Sequence, residues 1–382
     1  MHTYHLAVIG GDGIGPEVTE SALSAMHAAA DRFGFELVAE EFDYGAETYL
    51  QRDRLIDDED LTRLREFDAV VLGAVGDPRV APGILERGLV VKLRVSFRQS
   101  INIRPVRLYP GVTSPVSGAT PGNCDLVILR ENTEGIYTGG GVTLEQGTPR
   151  ALAIQHSLTT VPATTEIVEF AFRMASARRK RLTLCHKKNV LVHTGKLWQD
   201  IVDKTAERFP DVQHDYVHAD AMCQHLILHP GRFDVVVTPN LFGDIISDVG
   251  AVVQGGLGVA ASANFNPTGS APSMYEPVHG SAPDIAGTGR ANPAAAVLSA
   301  AMCLAGLGER DAALTLEAAT ASTLAELRSD IDAGRGVRTV DVGRRIVEHV
   351  GTIDPAAIGQ PDRSLMITLA SLAPQAGSAV QH

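Results

Sequence analysis

Short apolar runs recur along this chain and alternate with stretches whose apolar residues follow a helical period. The runs include residues 69–75 (AVVLGAV), 125–130 (DLVILR), 181–187 (RLTLCHK) and 233–240 (FDVVVTPN), and residues 195–209 have the helical pattern. Alternation of strand and helix is typical of α/β proteins, whose crossover helices cover a parallel sheet. With 382 residues, the chain is long enough for more than one domain. We therefore predict an α/β fold with a largely parallel sheet.

Net charge and cysteine usage exclude several classes of protein. The formal net charge of −12 argues against a nucleic-acid partner, because phosphate contact requires a basic face. The one basic cluster, residues 178–181 (RRKR), follows a helix-like run and is interpreted as cations at a helix C-terminus. The N-terminal apolar run is too short for a signal peptide, and no other run reaches membrane-spanning length. The cysteines lack metal-binding spacing, which predicts reduced, buried thiols in a cytoplasmic protein at positions 124, 185, 223 and 303.

A glycine-rich turn, GGDGIGPEV, follows the first apolar run, Tyr4 to Ile9. The dinucleotide fingerprint G-x-G-x-x-G fails here, because Pro16 occupies the position of the third glycine. Pro16 suits the first turn of a helix and Gly34 suits its end. The turn is therefore predicted to connect a strand to a helix outside a Rossmann fold, with a backbone that a ligand can approach closely.

Two segments are predicted to lack regular structure. Residues 112–123 are rich in Gly, Pro, Ser and Thr and are predicted to form a loop. Clear periodicity ends after about residue 352, and the final residues, PQAGSAVQH, are predicted to be a loose tail.

Two carboxylates, Asp244 and Asp248, are the only charged residues of an apolar stretch, residues 240–264. On a helix, residues four apart share one face, so the two charges would repel each other. A positive group is therefore expected beside them, either a divalent cation or an Arg or Lys side chain. The alternative is a solvated acidic helix face, which the apolar surroundings disfavour.

Three arginines lie beside strand-like or short apolar segments, Arg94 in VVKLR, Arg104 in INIRP and Arg130 in VILRENTEG. In an acidic chain they are candidates to bind a small polyanion, since guanidinium groups pair bidentately with carboxylates. The alternative is that each arginine pairs with a neighbouring acid. Residues 275–293 form an irregular segment rich in small residues, which indicates either ligand contact or a structural surface loop.

Four segments occur in the order GDGIGPEV, RENTEGIY, NLFGDIISD and EPVHGSAPDIAG. Together they resemble the β-decarboxylating dehydrogenases, the isocitrate and 3-isopropylmalate dehydrogenase family, over about residues 4–350. The resemblance implies a non-Rossmann fold of two α/β domains with the active site in the cleft between them. The first, cofactor-binding domain would comprise residues 1–100 and 254–382, and the second, residues 101–253. It also implies a homodimer with shared active sites.

The resemblance assigns roles to the polar residues. Asp244 and Asp248, joined by Asp220 of the partner subunit, would bind Mg²⁺ or Mn²⁺, which lowers the pKa of the substrate hydroxyl. Lys187 of the partner subunit would accept the hydroxyl proton, and Tyr137 would protonate the enol carbon after CO₂ leaves. The substrate carboxylates would be held by the three arginines, Arg94, Arg104 and Arg130.

The resemblance also identifies a cofactor loop, residues 279–292. Asp284 falls where NAD-dependent members place an acid on the ribose hydroxyls, and an acid there repels a 2′-phosphate, which predicts NAD over NADP. Glu86 is the candidate acid beside the nicotinamide ribose. The residues implied to bind the cofactor are His279, Gly280, Ser281, Ala282, Pro283, Asp284, Ile285 and Asn292.

Substrate choice is expected to depend on Val90 and Val91, an apolar pair where isopropylmalate enzymes carry two leucines. The implied reaction is NAD-dependent oxidative decarboxylation of a 2-hydroxy acid, 3-isopropylmalate in leucine biosynthesis first among the options. D-malate, tartrate, homoisocitrate and an analogous 3-alkylmalate are the alternatives. RENTEG resembles the isocitrate, homoisocitrate and tartrate/malate branches, and Lys92 could reach the pocket. A non-catalytic subunit is disfavoured, because all the implied catalytic residues are present.

Overall fold

The computed structural model describes residues 2–332, 336–354 and 364–374, apart from the side chains of residues 329–332. The strands are β1 (Thr3–Gly11), β2 (Glu36–Glu41), β3 (Ala69–Ala74), β4 (Ile101–Arg107), β5 (Asp125–Glu131), β6 (Gly141–Leu144), β7 (Leu152–Gln155), β8 (Arg181–His186), β9 (Gln213–His218), β10 (Val235–Thr238), β11 (Ala261–Phe265) and β12 (Ser273–Pro277). The helices are α1 (Gly15–Phe33), α2 (Ala46–Arg52), α3 (Asp58–Leu64), α4 (Lys92–Ser96), α5 (Val161–Ala177), α6 (Val192–Ala206), α7 (Ala219–Leu228), α8 (Asn240–Val253), α9 (Ala294–Gly306), α10 (Arg310–Asp332), α11 (Thr339–Thr352) and α12 (Leu365–Leu372).

One large mixed sheet organises the molecule, with the strand order β2-β1-β3-β12-β11-β4-β5-β10-β8-β9. Both flanks are parallel, as the alternation of strands and helices predicts. The centre is antiparallel, from β12 through β11 and β4 to β5. The α/β class is confirmed and the sheet is largely parallel as expected, but its antiparallel centre was not predicted. Strand direction depends on long-range pairing, which hydrophobic periodicity does not encode.

The two faces of the central strands differ in chemistry. Ile101 and Ile103 of β4 are fully buried in the main apolar core, together with Phe265 of β11. The alternate residues Asn102 and Arg104 are also buried but lie on the opposite face, as the two-residue period of a strand requires. Buried polar side chains need hydrogen-bond partners, so this polar face of the sheet centre is where a built site is expected.

The glycine-rich turn after β1 is packed against protein backbone. A Cβ atom on Gly11 would lie 2.0 Å from the Ala74 carbonyl oxygen, and one on Gly13 would lie 2.0 Å from the Ser281 carbonyl oxygen. The Ile14 N–H donates to that Ser281 oxygen at 2.9 Å. The glycines therefore permit close approach to the chain itself. Helix α1 has a proline in its first turn and ends at left-handed Gly34, as predicted.

Helix α5 ends before the basic cluster, as predicted, but Arg178 is not a surface cation. Its side chain is 2% exposed and pairs with Asp125 and Asp234, both at 2.9 Å. Arg178 lies at the helix end, as interpreted, but it is buried there and also joins the helix to the starts of β5 and β10. All four cysteines are free, with Cys223 partly exposed and the other three buried.

The C-terminal region contains a helix that the lost periodicity did not predict. Helix α12 packs on α5, α9 and α10, and its Leu369 is fully buried. The helix is mostly apolar and largely covered by protein, so it lacks the amphipathic pattern of a surface helix. The predicted tail, apart from Pro374, lies outside the described residues. The predicted loop at residues 112–123 has no helix or strand. Among the described residues, no helix is long and apolar enough to cross a membrane.

Candidate active site

A cleft of about 270 Å³ opens on the polar face of the sheet centre. Its walls come from the end of β3, from a π-helical turn at Glu86–Val91 with helix α4, from β4, β5 and α8, and from the segment that follows β12. Many of the residues predicted from the sequence line this cleft: Val90, Val91, Arg94, Arg104, Arg130, Tyr137, Asp244, His279 and Gly280.

Arg94 reaches the cleft from helix α4 and pairs with Glu276 of β12. One guanidinium Nη2 donates to the Glu276 Oε1 at 2.8 Å, and both side chains are nearly buried. The Arg94 Nε atom is buried and has no hydrogen-bond partner among the described residues. A buried unpaired donor is costly in a folded protein. An anion in the cleft would satisfy it.

Arg104 and Arg130 lie side by side on the neighbouring strands β4 and β5. Arg104 donates to Asn102 and to Ser247, both at 2.6 Å, and Arg130 donates to Asn240 at 2.9 Å and forms an ion pair with Asp244. Burial and the charge of Arg104 together lower the pKa of Arg130 to about 10. Burial also lowers the pKa of Arg104. For both arginines, the cost of burial exceeds the stabilisation that the neighbouring carboxylates provide.

Asp244 and Asp248 share one face of helix α8, as their spacing predicts. Their nearest positive groups are arginines: Arg104 Nη1 lies 3.6 Å from Asp244 and 3.8 Å from Asp248, and Arg130 pairs with Asp244. Burial raises the pKa of Asp248, only partly offset by Arg104. For Asp244, the effect of burial is outweighed by Arg130 and its pKa falls.

Tyr137 covers the arginine pair from the cleft side. Its hydroxyl donates to Asp244 Oδ2 at 2.7 Å, and its ring lies 5.1 Å from the Arg130 guanidinium carbon. Partial burial and the bond to Asp244 raise its pKa, so the phenol remains a proton donor at neutral pH. The sequence-predicted acid therefore lies beside both a predicted metal ligand and a predicted substrate arginine.

Lys187 and Asp220 lie together but apart from the cleft lining of their own chain. The Lys187 Nζ is 2.5 Å from the Asp220 Oδ1, and this bond lowers the pKa of Asp220. The pair joins the end of β8 to the start of α7. No set of three His, Cys, Asp or Glu side chains suited to a metal comes together within one chain, as far as residues 2–332, 336–354 and 364–374 go.

The apolar wall of the cleft is formed by Val90 and Val91 in the π-helical turn. Lys92 points away from it: its Nζ donates to the Ile56 carbonyl at 2.8 Å and lies 3.7 Å from Asp58. Glu86 lines the cleft and accepts a hydrogen bond from the Gly83 N–H at 2.9 Å. The wall thus carries no positive charge from Lys92.

The predicted cofactor loop begins at the cleft and continues to the surface. His279 and Gly280 line the cleft, and the buried Nε2 atom of His279 has no partner among the described residues. Ala282 has a φ of 42°, a left-handed conformation that non-glycine residues rarely adopt. Asp284 is exposed, and Asn292 accepts a hydrogen bond from the Ala294 N–H at 3.0 Å at the start of α9.

Two residues of the RENTEG motif, Asn132 and Glu134, do not line the cleft. Asn132 donates to the Gln99 carbonyl and to Asn264 Oδ1, both at 2.9 Å. Glu134 accepts hydrogen bonds from the backbone and hydroxyl of Thr160. Their side chains therefore serve buried contacts beside the site.

Sequence reasoning did not assign roles to several residues that support the arginines. Glu276 pairs with Arg94, and Asn240 and Ser247 of α8 bind the other two arginines. The signal available for Glu276 was its position in EPVHG, at the start of the irregular segment. The sequence offered no signal for the Asn240 amide or the Ser247 hydroxyl, because the arginines that they bind are distant in sequence.

Comparisons with known proteins agree with this architecture. The sequence model of the family described as "Isocitrate/isopropylmalate dehydrogenase" matches residues 5–354. A 3-isopropylmalate dehydrogenase from Corynebacterium glutamicum is 50% identical over 344 residues, which are 90% of this chain and 98% of that protein. One from Thermobifida fusca is 48% identical over 350 residues, covering 91% and 98% respectively.

A solved structure agrees as well. The crystal structure of isocitrate dehydrogenase from Methylococcus capsulatus superposes with a TM-score of 0.81 and 32% identity, over 92% of this chain and 100% of that one. The family match, the identities and the shared fold extend over nearly the whole chain. This chain therefore belongs to the isocitrate/isopropylmalate dehydrogenase family.

Proposed function

We propose that this protein catalyses the NAD-dependent and divalent-metal-dependent oxidative decarboxylation of 3-isopropylmalate to 4-methyl-2-oxopentanoate, a step of leucine biosynthesis. The observation that carries the proposal is the cleft itself, where Arg94, Arg104 and Arg130 meet beside an apolar wall of two valines. A dicarboxylate with a branched alkyl group matches both features. Relatives at about half identity are 3-isopropylmalate dehydrogenases, which supports the same substrate.

The residues present fit the two groups that the reaction needs. Asp244 and Asp248 offer the carboxylate oxygens that Mg²⁺ and Mn²⁺ prefer. Asp248 makes only the 3.8 Å contact with Arg104 among the described residues, so its oxygens are available. The unpartnered His279 Nε2 and the open space around Gly280 suit a bound nicotinamide nucleotide. The exposed Asp284 suits the ribose hydroxyls of NAD.

Each side chain has a definite task in the proposed mechanism. When bound, the divalent ion acidifies the substrate hydroxyl and stabilises enolate charge, and NAD⁺ accepts the hydride. The arginines hold the two carboxylates, and Val90 with Val91 faces the alkyl group. Lys187 of the partner subunit takes the hydroxyl proton, and Tyr137 donates its phenolic proton to the enol carbon once CO₂ has left.

The homodimer is part of the proposal, because Lys187 and Asp220 lie outside their own cleft. Exposed apolar side chains on α7 and α8, among them Leu228, Ile245 and Val252, support a second copy as the occupant of this surface. The β6–β7 hairpin adds a further exposed apolar set, Val142, Leu144, Leu152 and Ile154. A surface of this kind is typical of an obligate dimer.

The domain division that the family resemblance implies is part of the proposal, and the cleft lining supports it. Val90, Arg94 and Glu276 belong to the first domain, residues 1–100 and 254–382, whereas Arg104 and Arg130 belong to the second, residues 101–253. The substrate would therefore contact both domains. The free cysteine thiols support a cytoplasmic location.

A substrate panel tests the proposal. The measurement is kcat/KM for 3-isopropylmalate, D-malate, tartrate, isocitrate and homoisocitrate with NAD and Mn²⁺. We expect 3-isopropylmalate to lead by about 100-fold, or roughly 2.7 kcal/mol of transition-state discrimination. Equal rates with D-malate or tartrate would overturn the substrate assignment while leaving the reaction class in place. Asp284→Lys should raise the KM for NAD, and an unchanged KM would contradict the role of the loop.

Mixing two inactive variants tests the shared site. In a heterodimer of Lys187→Ala and Tyr137→Phe subunits, one site has lost both groups and the other keeps both. Random exchange should therefore restore roughly a quarter of the wild-type rate. No recovery, with exchange verified by mass, would contradict the proposal that Lys187 acts in the partner's cleft.

A further inference from the structure

A fully buried amide, Asn264 of strand β11, connects two of the cleft arginines. Its Nδ2 donates to Glu276 Oε1 at 2.6 Å, and the same carboxylate oxygen pairs with Arg94. Its Oδ1 accepts a hydrogen bond from Asn102 Nδ2 at 3.0 Å, and Asn102 Oδ1 accepts one from Arg104 Nε at 2.6 Å. An unbroken series of hydrogen bonds therefore joins Arg94 to Arg104 through Asn264.

The orientation of this amide is determined by its partners. Oδ1 of Asn264 also accepts a hydrogen bond from Asn132 at 2.9 Å, so the oxygen faces two amide donors and the nitrogen faces a carboxylate. If the Asn264 amide were flipped, its NH₂ group would face the NH₂ groups of Asn102 and Asn132, and its oxygen would face the Glu276 carboxylate. Asn264 is 0% exposed, so water cannot replace these bonds.

The two arginines come from successive elements that residues 97–100 connect. Arg94 lies on helix α4, which follows the π-helical turn, and Arg104 lies on β4. Both side chains are long and carry many rotamers, so their relative placement requires contacts beyond the backbone. The Asn264 series supplies those contacts at the base of the cleft.

We propose that Asn264 is a positioning residue that sets the separation of Arg94 and Arg104, and with it the spacing of the two carboxylates that the cleft accepts. The inference deepens the proposed function and rests on it, because it takes the substrate to be a dicarboxylate. Asn264 acts through the arginines and contacts no substrate itself.

Asn264→Asp is the sharpest test, because the change keeps the acceptor oxygens and removes the donor to Glu276. At pH 8 the introduced carboxyl opposes Glu276, and we expect the KM for 3-isopropylmalate to rise about tenfold or more, as for a lost hydrogen bond to a charged group. The KM for NAD should stay within about twofold. As the pH falls toward 6, the introduced carboxyl takes up a proton, since burial beside a carboxylate raises its pKa, and the donor returns. The difference in KM for 3-isopropylmalate between Asn264→Asp and the wild type should then decrease.

Asn266→Asp is the matched control. Asn266 is equally buried, follows β11 by one residue and donates to the Phe97 carbonyl instead of to the arginine series. It should lose thermal stability to a similar extent while the KM for 3-isopropylmalate and its pH profile stay unchanged. A rise in KM shared by both variants, or none in Asn264→Asp, would overturn the inference.

A second variant and a binding measurement complete the design. If Asn264→Asp does not fold, Asn264→Ser removes the same bridge with a smaller side chain and should raise the same KM. Calorimetric titration of 3-isopropylmalate with Mg²⁺ and no NAD should show the same loss of affinity, and unchanged affinity in Asn264→Ser would overturn the inference. Failure of the wild-type enzyme on 3-isopropylmalate would instead refute the proposed function.

Discussion

Strand β5 carries a buried arginine contact at each end, and the two ends differ in how the charge is balanced. At the start, Asp125 pairs with Arg178, which also pairs with Asp234. Burial opposes the charge of Arg178, but the two carboxylates outweigh it and its pKa is raised. Near the other end, burial and the charge of Arg104 exceed what Asp244 offsets, and the pKa of Arg130 falls to about 10.

The difference separates a structural ion pair from a binding site. A buried charge with complete compensation holds elements together, and removal of one partner is strongly destabilising. A buried charge that protein groups do not fully balance lowers the stability of the fold. Such a charge is typical of a binding site, where a ligand of opposite sign supplies the missing balance. The balance of charge around a buried arginine therefore indicates its role better than its burial does.

Asp248→Asn should have the largest effect on activity. The pKa of Asp248 is raised by burial, so removal of its charge should leave the melting temperature unchanged or slightly higher. A carboxylate ligand is lost, and we expect kcat/KM to fall by about 10³-fold or more with weaker Mn²⁺ activation. Normal turnover with normal Mn²⁺ dependence would refute the metal assignment.

Arg130→Met tests the undercompensated end of β5. This removes a buried charge that is proposed to bind the substrate, and we expect kcat/KM to fall by about 10³-fold, or roughly 4 kcal/mol. The free energy of unfolding should change little, because the wild-type charge is itself costly to bury. A large loss of stability with normal activity would show that Arg130 is a structural residue, contrary to the distinction drawn between the two ends of β5.

Arg178→Met tests the compensated end. Two buried carboxylates, Asp125 and Asp234, would lose their partner, and we expect a loss of about 3–5 kcal/mol in the free energy of unfolding by urea. Activity per folded molecule should stay normal. Arg173→Met, an exposed arginine on the same helix, is the control and should change stability by less than about 0.5 kcal/mol.

The smallest expected effect is on acid stability. The charge of Arg178 outweighs burial and holds the pKa of Asp125 below its ordinary value. A carboxyl with a lowered pKa in the folded state stabilises above the unfolded value of about 4, and loses that contribution as pH falls through the folded value. The wild type should therefore lose urea midpoint as the pH falls from 6 to 3, whereas Arg178→Met should lose less, because protonation neutralises its unpaired buried carboxylates, and the gap between the two proteins should narrow. Parallel curves would show that Asp125 does not contribute.

The two ends of β5 also illustrate which features of the molecule can be predicted from the sequence. The motifs predicted the family, the α/β class and residues that meet in the cleft, because Asp244 and Asp248 are close in sequence and the arginines belong to recognisable segments. The antiparallel sheet centre, the pairing of Arg94 with Glu276 and the role of Arg178 were not predictable, since each depends on strands that meet from distant positions. The direction of the Lys92 side chain was not predictable for the same reason, because its hydrogen-bond acceptor, the Ile56 carbonyl, is distant in sequence.

The first glycine turn contacts the proposed cofactor loop, and this contact bears on how the chain folds during biosynthesis. Ile14 leaves the ribosome early, but its partner Ser281 follows only after most of the chain has been made. Closing so long a span is slow compared with forming local helices. Binding of the nucleotide should therefore be among the last properties to return on refolding, well after the helical circular-dichroism signal has recovered.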